Sequence, residues 1–492
     1  MTRRCLTVFA ALAGFVALLG AAPPARAYDP ATTHAGLTER AVLASSLHKV
    51  LAHRLARPLG LFEPLRLRAG DLQADEARDL FGRLGALDPA GGYRPSDEGA
   101  ASAISWIVAG AVIAKTPSDR GRNFFYDPST GSGLTGAGDG VAFTHGVRRL
   151  VDGGTFRAVA TGTDFNLTGM PATAWLVAPE NDVGLVVFHR ELERSVSAAD
   201  PGERGTALAR ALLALGGTLA IVQDAGEPAH VRNDFVGAYL DQGVGRESPF
   251  DRASAFERYV SERYGRVGVP NAGAAVTRPT VAAFLTASDG LGLADRTQRR
   301  FFSAGTVPED AIVDRETSAA DVIRDARASL RYGLPRLPRL ELASIGKKRY
   351  AYAGTRRLVG YERVAGRVRF FLDDTVYADT ARALLPEIGA YGAGLCDHLF
   401  RAELTIAAGA DGEGVTVEVR DARGGVEGEV KLFAEDARGR RSALGAAKLS
   451  GGATSVSVAG RVPEGTRRLA AVLHGKDEAG ELIAVGQGAP RP

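Results

Sequence analysis

Residues 211–222 read ALLALGGTLAIV, an uncharged run in which Thr218 is the one polar side chain, and the chain then turns polar at Gln223 and Asp224. A Gly-Glu-Pro break follows, and His230 stands just past it. A carboxylate at the end of a buried helix needs a partner, because burying an unpaired charge costs on the order of several kcal/mol. In this setting the partner is either a metal ion or a nearby Lys or Arg. Other reactive residues do not gather into a second site. His48 and His53 are five apart and cannot share a helix face. His189 falls within a helical pattern, and His398 and His474 lie far along the chain. His145, in GVAFTHGVRR, sits in a Gly-rich stretch from which it could reach a cleft. There is no G-x-S-x-G nucleophile elbow. TGSGLTGAGDG follows FFYDP rather than joining a strand to a helix, so it reads as loop and not as a phosphate cradle.

The elements that would position Asp224 and His230 are mostly helical. THAGLTERAVLASSLHKVLAHRLA places apolar residues at helical spacing from Thr33, an expected N-cap. AASAISWIVAGAVIA is apolar nearly all round and predicts a central helix. Helical spacing continues in VGLVVFHRELERSV, DRASAFERYVSERY, SAADVIRDARASLRYG and ADTARALLPEIGAYGAGLCDHLF. The Gly-rich segment 129–172 reads as loop with one hairpin. Past Arg401 the period changes to two, in AELTIAA, VTVEVRD, EVKLFAED, TSVSVAG, RRLAAVLHG and ELIAVGQG, with Gly/Asp turns between. That pattern predicts a small antiparallel β-sandwich of the immunoglobulin or fibronectin kind, serving as a structural lid on the helical domain. The expected fold class is therefore mainly α with a C-terminal β-sandwich, divided at 28–401 and 402–492.

With 492 residues, 45% of them hydrophobic, the chain can bury a sizeable core. Residues 1–27 predict a signal peptide: Arg3 and Arg4, an apolar Leu6–Leu19 run, and Ala25-Arg26-Ala27 as the cleavage site. The expected mature chain starts at Tyr28, exported to the periplasm or the medium, with no integral membrane segment left after processing. The segment removed carries three arginines and no acids, so the formal charge of +3 becomes zero. A neutral chain has no global attraction to nucleic acid or anionic lipid. Cys5 would leave with the signal, and Cys396 alone, in YGAGLCDHLF, cannot form an intramolecular disulfide and reads as a buried small hydrophobe.

Taken in order, YDPATTHAGLTERAV, AGAVIAKTPSDRGRNFFYDPSTG, the Q-D-x-x-x-P-x-H of residues 223–230 and FERYV resemble the zinc-dependent phospholipase C and S1/P1 nuclease superfamily over roughly residues 28–260. The resemblance implies a helical domain around three zinc ions that activate water against a phosphate ester. Matched one by one, the N-terminal residue whose amine and carbonyl bind zinc is Tyr28, and the first His ligand is His34. The Asp ligand ahead of the N-F-F-Y-D-P segment is Lys115 here, and the His within that segment is Phe124. The His one turn before the helix carboxylate is Ala220. The bridging carboxylate is Asp224, the His past the Pro is His230, the His before the last Glu is Ala253, and the Glu is Glu257. Five ligand positions are kept, and Lys115, Phe124, Ala220 and Ala253 mark four lost.

Two readings follow. One is a phosphoesterase acting on a phospholipid or nucleic acid with a reduced number of zinc ions on Tyr28, His34, Asp224, His230 and Glu257. The other is a catalytically inactive relative without zinc, used as a binding or structural module whose protein partner the sequence does not name. The losses favour the second, since each activating ion supplies several kcal/mol of charge stabilisation. With no ion beside it, Asp224 is then expected to pair with Lys115.

Overall fold

The computed structural model describes residues 30–135, 163–235, 252–308, 347–364, 367–408 and 413–490, together with Tyr239, Phe250, Pro335 and strand segments at 140–144, 147–152, 155–158 and 311–312. Residues 1–27, expected to be a signal peptide, Tyr28, His145 and the helical pattern expected at 318–333 lie outside the described residues.

The helix Pro201–Asp224 is the axis of the fold. Asp200 caps it, accepting from the backbone of Gly202 and Glu203, and Pro201 supplies a pre-set φ at the first position. By length and composition it could cross a membrane, but 94% of its apolar window is buried inside the protein. Helices Ala103–Ile113 and Leu185–Ser197 pack along it. Two glycines allow the closest approach. A Cβ on Gly110 would overlap the Leu213 carbonyl, and one on Gly216 the Ile107 carbonyl. Helices Ala35–Ala44 and Asp374–Leu399 complete the layer around one apolar core, in which Cys396 is buried as expected.

Three expectations change. Thr33 does not cap a helix: it lies inside a wide turn, Pro30–His34, that runs straight into Ala35–Ala44. That helix then breaks at Ser45, whose hydroxyl donates to the Val42 carbonyl, while Asp397 accepts from the Ser46 amide and hydroxyl at 2.7 and 2.6 Å. Asp397 is remote in sequence, so the break has no local signal. Residues 129–172 hold more than one hairpin, with four antiparallel strands in sequential order from Gly140–Thr144 to Thr163–Asn166. Finally, Arg349–Ala353, Arg356–Val364 and Arg367–Phe371 form an antiparallel sheet, edged by Ala311–Ile312, inside a region expected to be helical. Its small core holds Phe302, Leu358, Val368 and Phe370.

The C-terminal strands form one hydrogen-bonded sheet in the order Arg441–Leu449, Glu427–Glu435, Arg468–Asp477, Gly480–Gly488, Glu403–Ala408, Glu413–Arg420, Ser455–Arg461. The pairing of Glu403–Ala408 with Gly480–Gly488 is parallel, and the rest are antiparallel. The two end strands meet at Gly445 and Ala459, so the sheet curls over its own core of Val417, Val430, Leu473 and Ala484. Alternation along the strands sends the intervening residues the other way. Val472, Ile483 and Val485 join the core of the helical domain. Arg401, buried at the junction, donates twice to Asp477 at 2.7 and 2.9 Å. The sheet is thus fused to the helices through an apolar face.

Candidate functional site

Asp224 is fully buried at the C-terminus of the central helix. The helix stops there because Ala225 and Gly226 turn the chain and Pro228 cannot continue it. Around the carboxylate the structure brings together side chains from three other segments. Lys115 Nζ, delivered by the turn after Ala103–Ile113, lies 2.6 Å from Asp224 Oδ2, and its side chain is 9% exposed. His34 Nε2 lies 3.3 Å from Oδ1, and His230 Nδ1 lies 3.5 Å from Oδ2. The ion pair expected between Lys115 and Asp224 is present.

Secondary contacts fix each partner. His34 Nδ1 lies 2.6 Å from Gln223 Oε1, and Gln223 donates in turn to Thr38 at 2.8 Å. Phe124 is buried with its ring centroid 5.1 Å from the Lys115 ammonium, a cation–π contact in the place where the resemblance puts a histidine. Phe125 packs on the His230 ring at 4.3 Å, and the Tyr126 amide donates to the His230 carbonyl at 3.1 Å. Ala220 and Ala253 are buried and offer only methyl groups.

Two residues at the site carried no signal in the motif reading. Tyr239 places its hydroxyl 2.7 Å from His230 Nε2. Glu227, in the Gly-Glu-Pro break, accepts from the amides of Ala229 and His230 and from the Ser254 hydroxyl at 2.8 Å. Glu257 also has a plain structural task. It completes a capping box with Ser254, accepting from the Ser254 amide at 2.6 Å while its own amide donates to the Ser254 hydroxyl at 3.1 Å. The S-x-x-E spacing at 254–257 was the available signal for that task.

The electrostatics follow from burial. Desolvation pushes Asp224 up, but the Lys115 ammonium, helped by the neighbouring His34, outweighs it and holds the carboxyl well below its usual range. Desolvation pushes Glu227 well up, reinforced by Glu257, and raises Glu257 as well. Burial pushes His230 down to about 3, so its ring is neutral at physiological pH. The folded state then binds fewer protons than the unfolded chain between about pH 6.5 and 3. This stability is complete above pH 6.5 and is lost as the pH falls toward 3. His398, pushed down by burial to about 4, acts in the same window. Urea midpoints measured from pH 7 to pH 4 should fall steadily in the wild type and less steeply in His230→Gln. Equal slopes for the two proteins would remove His230 from the account.

Donor atoms of Asp224, His230 and Glu257 lie within 4.8 Å of one another, so this buried trio could hold a metal ion. A three-zinc cluster does not fit the residues present. Zinc wants four N, O or S donors, and the space beside Asp224 Oδ2 is taken by an ammonium, while Phe124, Ala220 and Ala253 supply no ligand atoms. One oxygen of Glu257 is committed to the capping box. Tyr28 lies outside the described residues.

No family model matches the chain, and no curated relative matches it. Among solved structures it is similar to the alpha-toxin of Clostridium perfringens from avian strain SWCP, at 9% identity and a TM-score of 0.25 over 94% of this chain and 99% of that one. It is also similar to the alpha toxin of Clostridium absonum, at 10% identity and a TM-score of 0.24 over 95% and 97% of the two chains. A likeness this loose carries no weight for the site or its chemistry.

Proposed function

We propose that this chain is an exported, non-catalytic relative of the zinc-dependent phospholipase C and S1/P1 nuclease superfamily, in which a buried ion pair has taken the place of the metal cluster. Residues 1–27 are the export signal, 28–401 the helical domain and 402–492 its β-sandwich appendage. The module binds or scaffolds rather than hydrolyses. The observation that carries this reading is the Lys115 ammonium, 2.6 Å from the one carboxylate that would have bridged two ions. A cation fixed by the chain satisfies Asp224 without any metal, and it repels a divalent ion from the same place. Burial of His34, Asp224, His230 and Glu257 supports the same reading, since a substrate phosphate has to reach the groups that act on it.

A second reading is favoured by the close grouping of Asp224, His230 and Glu257. It is a phosphoesterase with one zinc, in which Lys115 would have to leave Asp224. The two readings separate in a hydrolysis assay with added zinc, using bis(p-nitrophenyl) phosphate, phosphatidylcholine and single-stranded DNA. The expected result is no turnover above that of a Lys115→Ala, Asp224→Asn double variant. Zinc-dependent hydrolysis that the double variant lacks would establish the second reading.

A further inference from the structure

Where the curled sheet meets the helices, at the opposite end of the central helix from Asp224, there is a cavity of about 210 Å³. Its lining holds Arg54, Arg57, Arg204, Arg441 and Arg468, with Glu435 as the one carboxylate among them. Arg54 is drawn off to Glu403 at 3.2 Å and to the carbonyls of Phe400 and Ala402. Of the other four, Arg204 donates to the carbonyls of Ala198 and Ala199 at 3.0 Å and to that of Gly439, Arg441 donates to the Val196 carbonyl at 2.6 Å, and both also meet Glu435. Arg441 Nε donates to it at 2.9 Å, Arg204 reaches it at 3.4 Å, and Arg468 Nε stands 3.9 Å away. Arg57 Nε is buried with no hydrogen-bond partner.

Such a collection is unfavourable as it stands. Burial and the neighbouring Arg204 and Arg468 push Arg441 down to about 10, and burial lowers Arg57 and Arg204 as well, with Arg57 also feeling Arg468 and Arg204 feeling Arg57 and Arg468. Glu63 and Asp200 add some attraction from outside the lining, but Asp200 is already bound to Arg68 at 3.0 Å and caps the central helix. That helix starts at Pro201, on the cavity wall, so its positive end adds to the field. The backbone holds the turn in a costly form. Ala56 has φ 52°, in the left-handed region an alanine rarely adopts, while the Arg57 amide donates to Leu51 O at 2.9 Å.

We propose that this interdomain cavity is a binding site for a phosphate-bearing anion, either inorganic phosphate or a small phosphomonoester, which Arg57, Arg204, Arg441 and Arg468 clamp across the two domains. A dianion with several acceptor oxygens would take the unpartnered Arg57 Nε and the Arg468 guanidinium, which stands 3.9 Å from Glu435, and it cancels the mutual repulsion of the four charges. The anion ties the 54–57 turn and the start of the central helix to the strands that carry Glu435, Arg441 and Arg468.

The test is calorimetric titration of the full chain with inorganic phosphate and with glycerol 3-phosphate at low ionic strength, chloride serving as control, alongside thermal melts. Both phosphates should bind and raise the melting temperature. Arg57→Gln, which removes the guanidinium whose Nε is unpartnered, should weaken binding about ten-fold, the worth of a charged hydrogen bond. Glu435→Gln, which removes the internal competitor, should tighten it. Flotation with phosphatidylcholine vesicles, with and without phosphatidic acid, locates the source. Retention by phosphatidic acid that Arg57→Gln abolishes identifies a lipid headgroup, and phosphate binding without retention identifies a soluble ester. No binding of either phosphate, or equal binding by Arg57→Gln, overturns the proposal.

Discussion

Lys115→Ala is expected to destabilise the protein by about 3–5 kcal/mol, the usual cost of breaking one side of a buried ion pair. The reason lies in what remains. Asp224 is fully buried, and its nearest positive charge, 2.6 Å away, would be gone. His230, pushed down to about 3 by burial, supplies no countercharge at neutral pH. The carboxyl must then take up a proton or draw one onto an imidazole, and either adjustment appears as lost stability. Lys115→Met separates charge from volume, because it restores the packing over Phe124 but not the ammonium. It should recover little of the loss. Zinc gives a second signature. If the ammonium occupies the place of an ion, millimolar zinc should raise the melting temperature of Lys115→Ala through Asp224, His230 and Glu257 and leave the wild type unmoved. A wild-type melting temperature in Lys115→Ala would mean that Asp224 is satisfied by its other neighbours.

Gly216→Ala is expected to cost about 3 kcal/mol or more, at the upper end of what overpacking does. The added methyl would overlap the Ile107 carbonyl, and that atom belongs to the backbone of a neighbouring helix, so no rotamer change can relieve it. The two helices must separate along their length, opening the core around Trp106 and Leu212. Gly205→Ala, on the same helix with nothing near its Cβ, is the matched control. It should be neutral or slightly stabilising, since alanine is the better helix former. Chemical denaturation of both variants checks the difference, and similar midpoints for the pair would show that the crossing is looser than described.

The partner of Asp224 was legible because its alternatives were few. A buried carboxylate needs a cation, and Lys115 falls in a segment where the resemblance read from the sequence puts a ligand. The period-two texture after Arg401 likewise announced the sheet. Its double use was hidden, because alternation alone does not say that Val472 and Ile483 face a second core. The strands at 349–371 were legible too, in the alternation of RYAYA and RVRFF, but the surrounding helical periods masked it. Other features had no local signal at all. The break at Ser45 depends on Asp397, and Tyr239 reaches His230 without any motif spacing. Glu257 shows how one residue fits two readings, since a ligand position expected from the resemblance and an S-x-x-E helix cap coincide there.

Elemental analysis of the protein, purified without chelators and with zinc present during growth, decides between an ammonium and a metal ion beside Asp224. Zinc well below one ion per chain is expected, because Lys115 already holds the position beside Asp224. Three zinc ions per chain, or a single stoichiometric ion lost on substituting Asp224, would contradict it.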